Sequence, residues 1–309
     1  MFPKDMLSLE DFSRDALEDI FQRAAYFKQK DPDNFTSLKG KNIALSFWEP
    51  STRTRLSFEM AVHKLGGKVV RVTPELSSEQ KGESIDDTVK TLQSIGADAL
   101  IFRHSTPGLF NRVGSLVDIP LISGGEGCYQ HPTQALLDIF TLREKGIDLA
   151  GKQVIMVGDI LHSRVARSHF YTFPLFGAGL TLVGPPSLLP QELVPPGVDC
   201  SYHLEDVLPG GDIIYLLRVQ RERQEKGLIP SLSEYAALYG LNEERMSLLK
   251  QDACLMHPGP VNQGIEISAA VIKTMEQFYP DRILFQDQVQ NGVFVRMAVL
   301  DLLLAGRSG

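Results

Sequence analysis

The sequence predicts an α/β protein: two doubly wound parallel-sheet domains joined by interdomain helices. Three observations carry that expectation. Short β-branched apolar runs alternate with amphipathic stretches along the chain, and such alternation means parallel sheets with crossover helices. The 309 residues, 43% hydrophobic and 22% charged, suffice for two cores of about 130–150 residues each. Arginine and histidine gather just after the expected strands, where open α/β sheets bind their ligands.

The elements follow in order. Strands are expected at Asn42–Phe47, Lys68–Val72, Ala99–Phe102, Pro120–Ile122, Gln153–Val157, Leu180–Val183, Asp212–Leu217, Ala253–Met256 and Ile283–Phe285, each a short apolar run. Helical periodicity is clear near Asp11–Lys28, Arg55–Leu65, Ile85–Ile95, Pro132–Lys145 and Val289–Leu304. The Gly-rich stretch Ser123–Gly127 and the helix after it form the expected junction.

Composition narrows the function. A net charge of −7 and the lack of a basic stripe argue against nucleic acid as a partner. No apolar run is long enough to span a bilayer; the best, MAVLDLLLAG, is interrupted by Asp301. The opening segment MFPKDMLSLEDFS has neither a basic n-region nor an apolar core, so no secretory leader is expected. Cys128, Cys200 and Cys254 show no CxxC or Cys/His spacing, which indicates neither a disulfide frame nor a zinc site. Together these features suggest a cytoplasmic protein, with no membrane partner, no metal and no cofactor. GxxxxGK[ST] and GxGxxG are both missing, which counts against a P-loop and against a dinucleotide-dependent oxidoreductase.

The richest stretch is PSTRTRLSFEMAVHKLGG, Pro50–Gly67. Ser51 suits an N-cap; Phe58, Ala61, Val62 and Leu65 then recur at helical spacing, and Gly66-Gly67 supplies the stop. Ser51, Thr52, Arg53 and Thr54 therefore sit at a helix N-terminus, where free N–H groups and the dipole favour an anion. Residues two apart on a helix do not share a face, so Arg53 is assigned to the ligand and Arg55 to a structural ion pair. The same residues would also serve a well-capped helix with surface arginines.

Other positions read two ways from the residues alone. Pro132 suits the first helical position, which makes His131 the N-cap and Gln134 the third residue. They are either a cap with a solvent-facing amide or a pair of donors, His131 acting neutral because the helix terminus disfavours imidazolium. Arg218 and Gln220 end a strand and point to one side, as a carboxylate fork or as part of an exposed basic stretch with Arg221 and Arg223. Arg164 and Arg167 lie one helical turn apart, and either could meet a ligand. Ser77 and Lys81 lie in the polar loop SSEQKGES, which by itself looks ordinary.

FWEPSTRTRLSFE together with HPTQALLDIFT resembles the carbamoyl-phosphate signature of the aspartate/ornithine transcarbamoylases, and RVQRER and HPGPVN narrow the similarity to the aspartate branch. The resemblance runs from the first helix to QVQNGVFVRMAVL. It implies transfer of the carbamoyl group of carbamoyl phosphate to L-aspartate, giving N-carbamoyl-L-aspartate and phosphate in pyrimidine synthesis. It implies a carbamoyl-phosphate domain at 1–131, an aspartate domain at 132–288, and a last helix at 289–309 returning to the first. Ser51, Thr52, Arg53 and Thr54 would hold the phosphate. Thr54, Arg103 and His131 would point at the carbonyl oxygen and Gln134 at the amino group. Arg164 would take the α-carboxylate of aspartate, and Arg218 with Gln220 its side-chain carboxylate. Backbone groups near Gly259 and Pro260 would complete the pocket. Ser77 and Lys81 would reach a neighbouring subunit's site in a homotrimer with shared sites. A regulatory chain or a dihydroorotase is the further partner the resemblance leaves open. HPGPVNQG departs from relatives that carry HPLP or have arginine where Gln263 stands.

The implied chemistry suits these residue types. Amine attack builds negative charge on the carbonyl oxygen, and fixed donors aimed there stabilise the transition state, each typically by about 3–4 kcal/mol. The leaving phosphate can accept the amine proton, so no dedicated protein base is required. The alternatives are an ornithine or other amine acceptor, and a catalytically silent partner in a pyrimidine-pathway complex. A cationic acceptor side chain would want a carboxylate or thiol where Arg218 and Gln220 stand.

Overall fold

The computed structural model describes residues 2–10, 12–30, 35–72, 84–220 and 231–304. The chain divides into two compact units, one of Met1–Leu137 with Val289–Gly309, the other of Asp138–Gln288.

The first unit contains α1 (Arg14–Gln29), β1 (Asn42–Phe47), α2 (Thr52–Lys64), β2 (Lys68–Val72), α3 (Ile85–Ser94), β3 (Ala99–His104), α4 (Leu109–Ser115) and β4 (Leu121–Glu126). Its four strands run parallel in the order β2-β1-β3-β4. Central strands covered on both faces are apolar throughout, and Ile43–Leu45 and Ala99–Phe102 are all buried. Edge strand β2 is partly open, and its sequence KVVRV mixes charge with valine accordingly. Phe102 and Phe110 pack with Val89, Leu100 and Val113 in one core cluster. Each buried phenylalanine contributes about 2–3 kcal/mol of transfer free energy. The chain's last helix joins this unit through its second part: Arg23 Nε donates to Asp301 Oδ2 at 2.6 Å and Lys28 Nζ to Asn291 Oδ1 at 2.8 Å.

The second unit contains β5 (Gln153–Val157), α6 (Arg164–Leu175), β6 (Gly179–Val183), β7 (Asp199–Ser201), α7 (Leu204–Val207), β8 (Ile213–Leu216), α8 (Leu232–Tyr239), α9 (Glu243–Met246), β9 (Cys254–Met256) and α10 (Ala269–Phe278). The strands are parallel in the order β7-β6-β5-β8-β9. Two helices, α5 (Pro132–Glu144) and α11 (Phe285–Leu304), cross the division between the units. Serine starts helices repeatedly for one reason: at Ser13, Ser84, Ser163, Ser231 and Ser268 the side chain accepts a first-turn backbone N–H.

Two elements differ from expectation. Ile283–Phe285 is not a strand. Ile283 makes one isolated bridge to Leu255, and Phe285 opens α11, so the apolar run serves as the lead-in to a helix. The strand Asp199–Ser201 lies outside the expected set; it is short and paired only with β6 at the sheet edge. Three residues, Asp-Cys-Ser, are too few to display a hydrophobic alternation that would signal a strand.

Candidate functional site

In the first unit the candidate residues meet at the carboxyl end of the sheet. β1 ends at Phe47 and α2 begins at Thr52. Phe58, Ala61, Val62 and Leu65 are fully buried, which anchors α2 by one face and leaves its first turn directed outward. Ser51 occupies the N-cap position in an extended conformation, yet its hydroxyl makes no capping bond. The helix start therefore keeps its N–H groups and that hydroxyl available for a ligand. Thr52 and Arg53 are exposed, whereas Thr54 is 6% exposed. Arg55 sits 3.9 Å from Glu59, so it behaves as the structural member of the arginine pair. Glu59 also receives both Nε and a terminal nitrogen of Arg71, at 2.9 and 2.8 Å. That hydrogen bonding outweighs the cost of burial and holds the Glu59 carboxyl below its usual range.

Thr54 Oγ1 lies 3.5 Å from His131 Nε2, which brings a hydroxyl and an imidazole from distant sequence positions together. His131 directly precedes α5 and is 5% exposed; Gln134, one turn into the helix, is 8% exposed. Gln134 N donates to the His131 carbonyl at 3.0 Å, as a helix start requires. Arg103 lies near the end of β3 and is 8% exposed. Its Nε is 3.2 Å from Glu49 Oε2, and a terminal nitrogen donates to the Gly124 carbonyl of β4 at 3.1 Å. Glu49, which sequence reasoning does not find, joins the candidate site as the neighbour of Arg103; its only signal is an acid beside the basic stretch EPSTRTR. As an ion-pair partner it offsets the guanidinium charge, while the hydrogen bond to the Gly124 carbonyl orients the group.

In the second unit, Ser163 caps α6 by accepting from Ala166 N at 3.1 Å, and Arg164 opens the helix at 5% exposure. Arg167, one turn on, instead donates weakly to the Leu161 carbonyl at 3.4 Å. Gly158, at φ 139, makes the turn out of β5: a Cβ there would lie 3.0 Å from Leu217 Cβ and 3.2 Å from the Tyr235 hydroxyl. Beyond β8, Val219 is fully buried while Arg218 and Gln220 on either side are half-buried, the alternation an extended segment imposes. After β9, the Gly259 N–H donates to His257 Nδ1 at 2.8 Å, and the Gly259-Pro260 bond is cis. Because Nδ1 accepts, a neutral His257 carries its proton on Nε2. Ser77 and Lys81 lie outside the described residues.

A buried polar cluster in this unit is equally hidden from sequence reasoning. Asp138 Oδ2 accepts from His169 Nε2 at 2.9 Å and from the Tyr215 hydroxyl at 2.6 Å; Oδ1 accepts from Gln288 Nε2 at 2.7 Å. Gln288 Oε1 in turn accepts from His257 N at 3.0 Å. The one signal is an acid inside the apolar run QALLDIFTL. Among the described residues, no group of three or more His, Cys, Asp or Glu side chains could hold a metal ion, and no helix is long and apolar enough to cross a membrane.

Residues 4–144 match the family model described as aspartate/ornithine carbamoyltransferase, carbamoyl-P binding domain, and residues 150–303 match its Asp/Orn binding domain. The chain belongs to the aspartate/ornithine carbamoyltransferase family. Within that family it is 45% identical over 307 residues to the aspartate carbamoyltransferase catalytic subunit of Desulforudis audaxviator, covering 98% of both chains. The Moorella thermoacetica catalytic subunit is likewise 45% identical, over 306 residues and 98% of both. Among solved structures, Trypanosoma cruzi aspartate transcarbamoylase in complex with carbamoyl phosphate and aspartate superposes with a TM-score of 0.87 at 29% identity, covering 97% of this chain and 96% of that one. The catalytic subunit of the M. jannaschii enzyme gives 0.83 at 31% identity, covering 99% and 100%. The family's α/β architecture, with one parallel sheet in each unit, is the one the sequence led us to expect.

Proposed function

We propose that this chain is an aspartate carbamoyltransferase: it transfers the carbamoyl group of carbamoyl phosphate to the amine of L-aspartate, releasing N-carbamoyl-L-aspartate and phosphate. The observation that supports this most is the placement of Thr54 beside His131 next to an uncapped, outward-facing helix start. That arrangement suits a phosphate joined to a carbonyl. The Trypanosoma cruzi relative, crystallised with carbamoyl phosphate and aspartate and also with N-(phosphonacetyl)-L-aspartic acid, extends the same reading to both substrates.

In this reading residues 1–131 bind carbamoyl phosphate, 132–288 bind aspartate, and 289–309 belong with the first part. Ser51, Thr52, Arg53 and Thr54 hold the phosphate with side-chain donors and the α2 N-terminus. Thr54, Arg103 and His131 donate toward the carbonyl oxygen, and their donation strengthens as that oxygen gains charge. Gln134 accepts from the carbamoyl amino group. Arg164 pairs with the α-carboxylate of aspartate, Arg218 and Gln220 with its side-chain carboxylate, and the backbone at Gly259 and Pro260 closes the set. The amine lone pair forms the new C–N bond, the C–O bond to phosphate breaks, and phosphate takes the amine proton.

We read the enzyme as a cytoplasmic homotrimer in which Ser77 and Lys81 serve a neighbouring subunit's site. Carbamoyl transfer to L-aspartate and to L-ornithine, assayed side by side, tests the function. Turnover with aspartate, inhibited tightly by N-(phosphonacetyl)-L-aspartate, is expected; turnover with ornithine alone would overturn it. Sedimentation should give a trimer, and a fully active monomer would rule out shared sites.

A further inference from the structure

The segment that carries Arg218 and Gln220 leaves the sheet after Leu216, and its backbone must be held by something other than ladder hydrogen bonds. The first N–H beyond the strand, that of Leu217, still bonds to the Val157 carbonyl at 2.8 Å. The next two contacts come from buried carboxylates. Val219 N donates to Glu266 Oε1 at 2.8 Å, and Gln220 N approaches Asp159 Oδ2 at 3.4 Å. Glu266 is 1% exposed, and it is the stronger of the two anchors. Besides Val219 it accepts from Asn262 N on Oε2 at 2.6 Å and from Asn262 Nδ2 on Oε1 at 2.7 Å. Its Oε2 also faces His257 Nε2 at 3.4 Å, a contact too poorly aligned to be a hydrogen bond. Tyr235, fully buried in the same core cluster as Val219, has its hydroxyl pushed far above the ordinary phenol range, first by burial and then by the charges of Glu266 and Asp159.

Glu266 therefore joins two loops that leave neighbouring strands, the exit of β8 at Val219 and the loop after β9 at Asn262. Val219 is the residue between Arg218 and Gln220. With its side chain in the core and its N–H on Glu266, the segment cannot rotate about its axis. A slip of one residue would turn both ligand groups inward.

We propose that Glu266 is a positioning residue for the acceptor site: by holding the Val219 N–H it fixes Arg218 and Gln220 on one side of the segment, where they select an acceptor carrying a second carboxylate. This rests on the reading of Arg218 and Gln220 as aspartate ligands. Glu266 itself touches no substrate. Its effect is carried by the backbone and belongs to aspartate, not to carbamoyl phosphate.

The test is Glu266→Met in the full-length enzyme, with steady-state kinetics in both substrates. Methionine is of similar length but offers no strong acceptor, so Val219 N loses its partner whichever way the side chain turns. Leaving one buried N–H unmatched corresponds to about tenfold or more in an equilibrium. The KM for L-aspartate should rise by about that factor while the KM for carbamoyl phosphate stays within about twofold, and preference for L-aspartate over L-asparagine should fall. A wild-type enzyme that does not carbamoylate aspartate refutes the functional reading. A wild type that does so, with an unchanged aspartate KM and unchanged preference in the variant, refutes the role of Glu266. Equal losses for both substrates would also refute it, because they mark a general structural defect. If Glu266→Met does not fold, Asn262→Ala, which removes one donor that orients the carboxylate, takes its place. A raised aspartate KM alone then supports the role, and an unchanged KM or equal losses for both substrates refute it.

Discussion

Replacing Asp138 should separate the cost of losing a buried acceptor from the cost of losing its charge. Asp138 is fully buried and accepts from His169 Nε2, the Tyr215 hydroxyl and Gln288 Nε2 at 2.9, 2.6 and 2.7 Å. Asp138→Ala leaves all three donors in a dry site. At about 1 kcal/mol or more for each unmatched donor, the loss is about 3 kcal/mol before any cavity contribution. For a unit of this size that corresponds to roughly 6–12 °C in the unfolding midpoint. Asp138→Asn is different, because the neighbours can adapt. His169 can move its proton to Nδ1, where Thr172 Oγ1 lies 3.0 Å away, and the Tyr215 hydroxyl can rotate to accept. Gln288 has no such freedom, since its oxygen is engaged by His257 N. The amide should therefore settle with its oxygen toward Gln288, and the cost should be about 1 kcal/mol. Urea unfolding of the two variants against wild type, followed by far-UV circular dichroism, measures both numbers. If Asp138→Asn is as damaging as Asp138→Ala, or if Asp138→Ala loses less than about 1 kcal/mol, the donor-satisfaction reasoning is wrong.

Two further outcomes are expected. Arg103→Ala removes a donor held by Glu49 and the Gly124 carbonyl, and kcat should fall about 100-fold or more with little change in midpoint temperature; a loss below about fivefold in a carbamoyl-transfer assay would exclude an oxyanion role. Glu59 has its carboxyl held down by hydrogen bonding to Arg71, so its folded-state value lies below its unfolded one. Its contribution is present above the unfolded value of 4.5 and is lost as pH falls through the lower folded value. Glu59→Gln should therefore be less stable than wild type near neutrality and converge with it in acid. Parallel curves from denaturant titrations across that range would contradict the assignment.

The sequence by itself determined the alternation of strands and helices and the placing of Ser51–Thr54 at a helix start, because both depend on local rules: apolar period, caps and glycine stops. Phe58, Ala61, Val62 and Leu65 have the helical spacing of a buried face, and all four are buried. The same rules gave Arg218 and Gln220 a common side, since alternation in an extended segment needs no tertiary information. Boundaries failed where an apolar run was too short to distinguish strand from helix lead-in, as at Ile283–Phe285, and where an edge strand was only three residues long, as at Asp199–Ser201.

Only the tertiary structure decided which polar residues hold the candidate ligands in place. Glu49 and Gly124 hold Arg103, Glu266 holds the backbone between Arg218 and Gln220, and Gln288 links Asp138 to His257 across a long stretch of chain. A carboxylate's partner is set by proximity and by the dryness of its surroundings, and neither has a period in the sequence. A lone acid in QALLDIFTL looks out of place until the fold surrounds it with three donors; the energy that makes it essential exists only once water has been excluded.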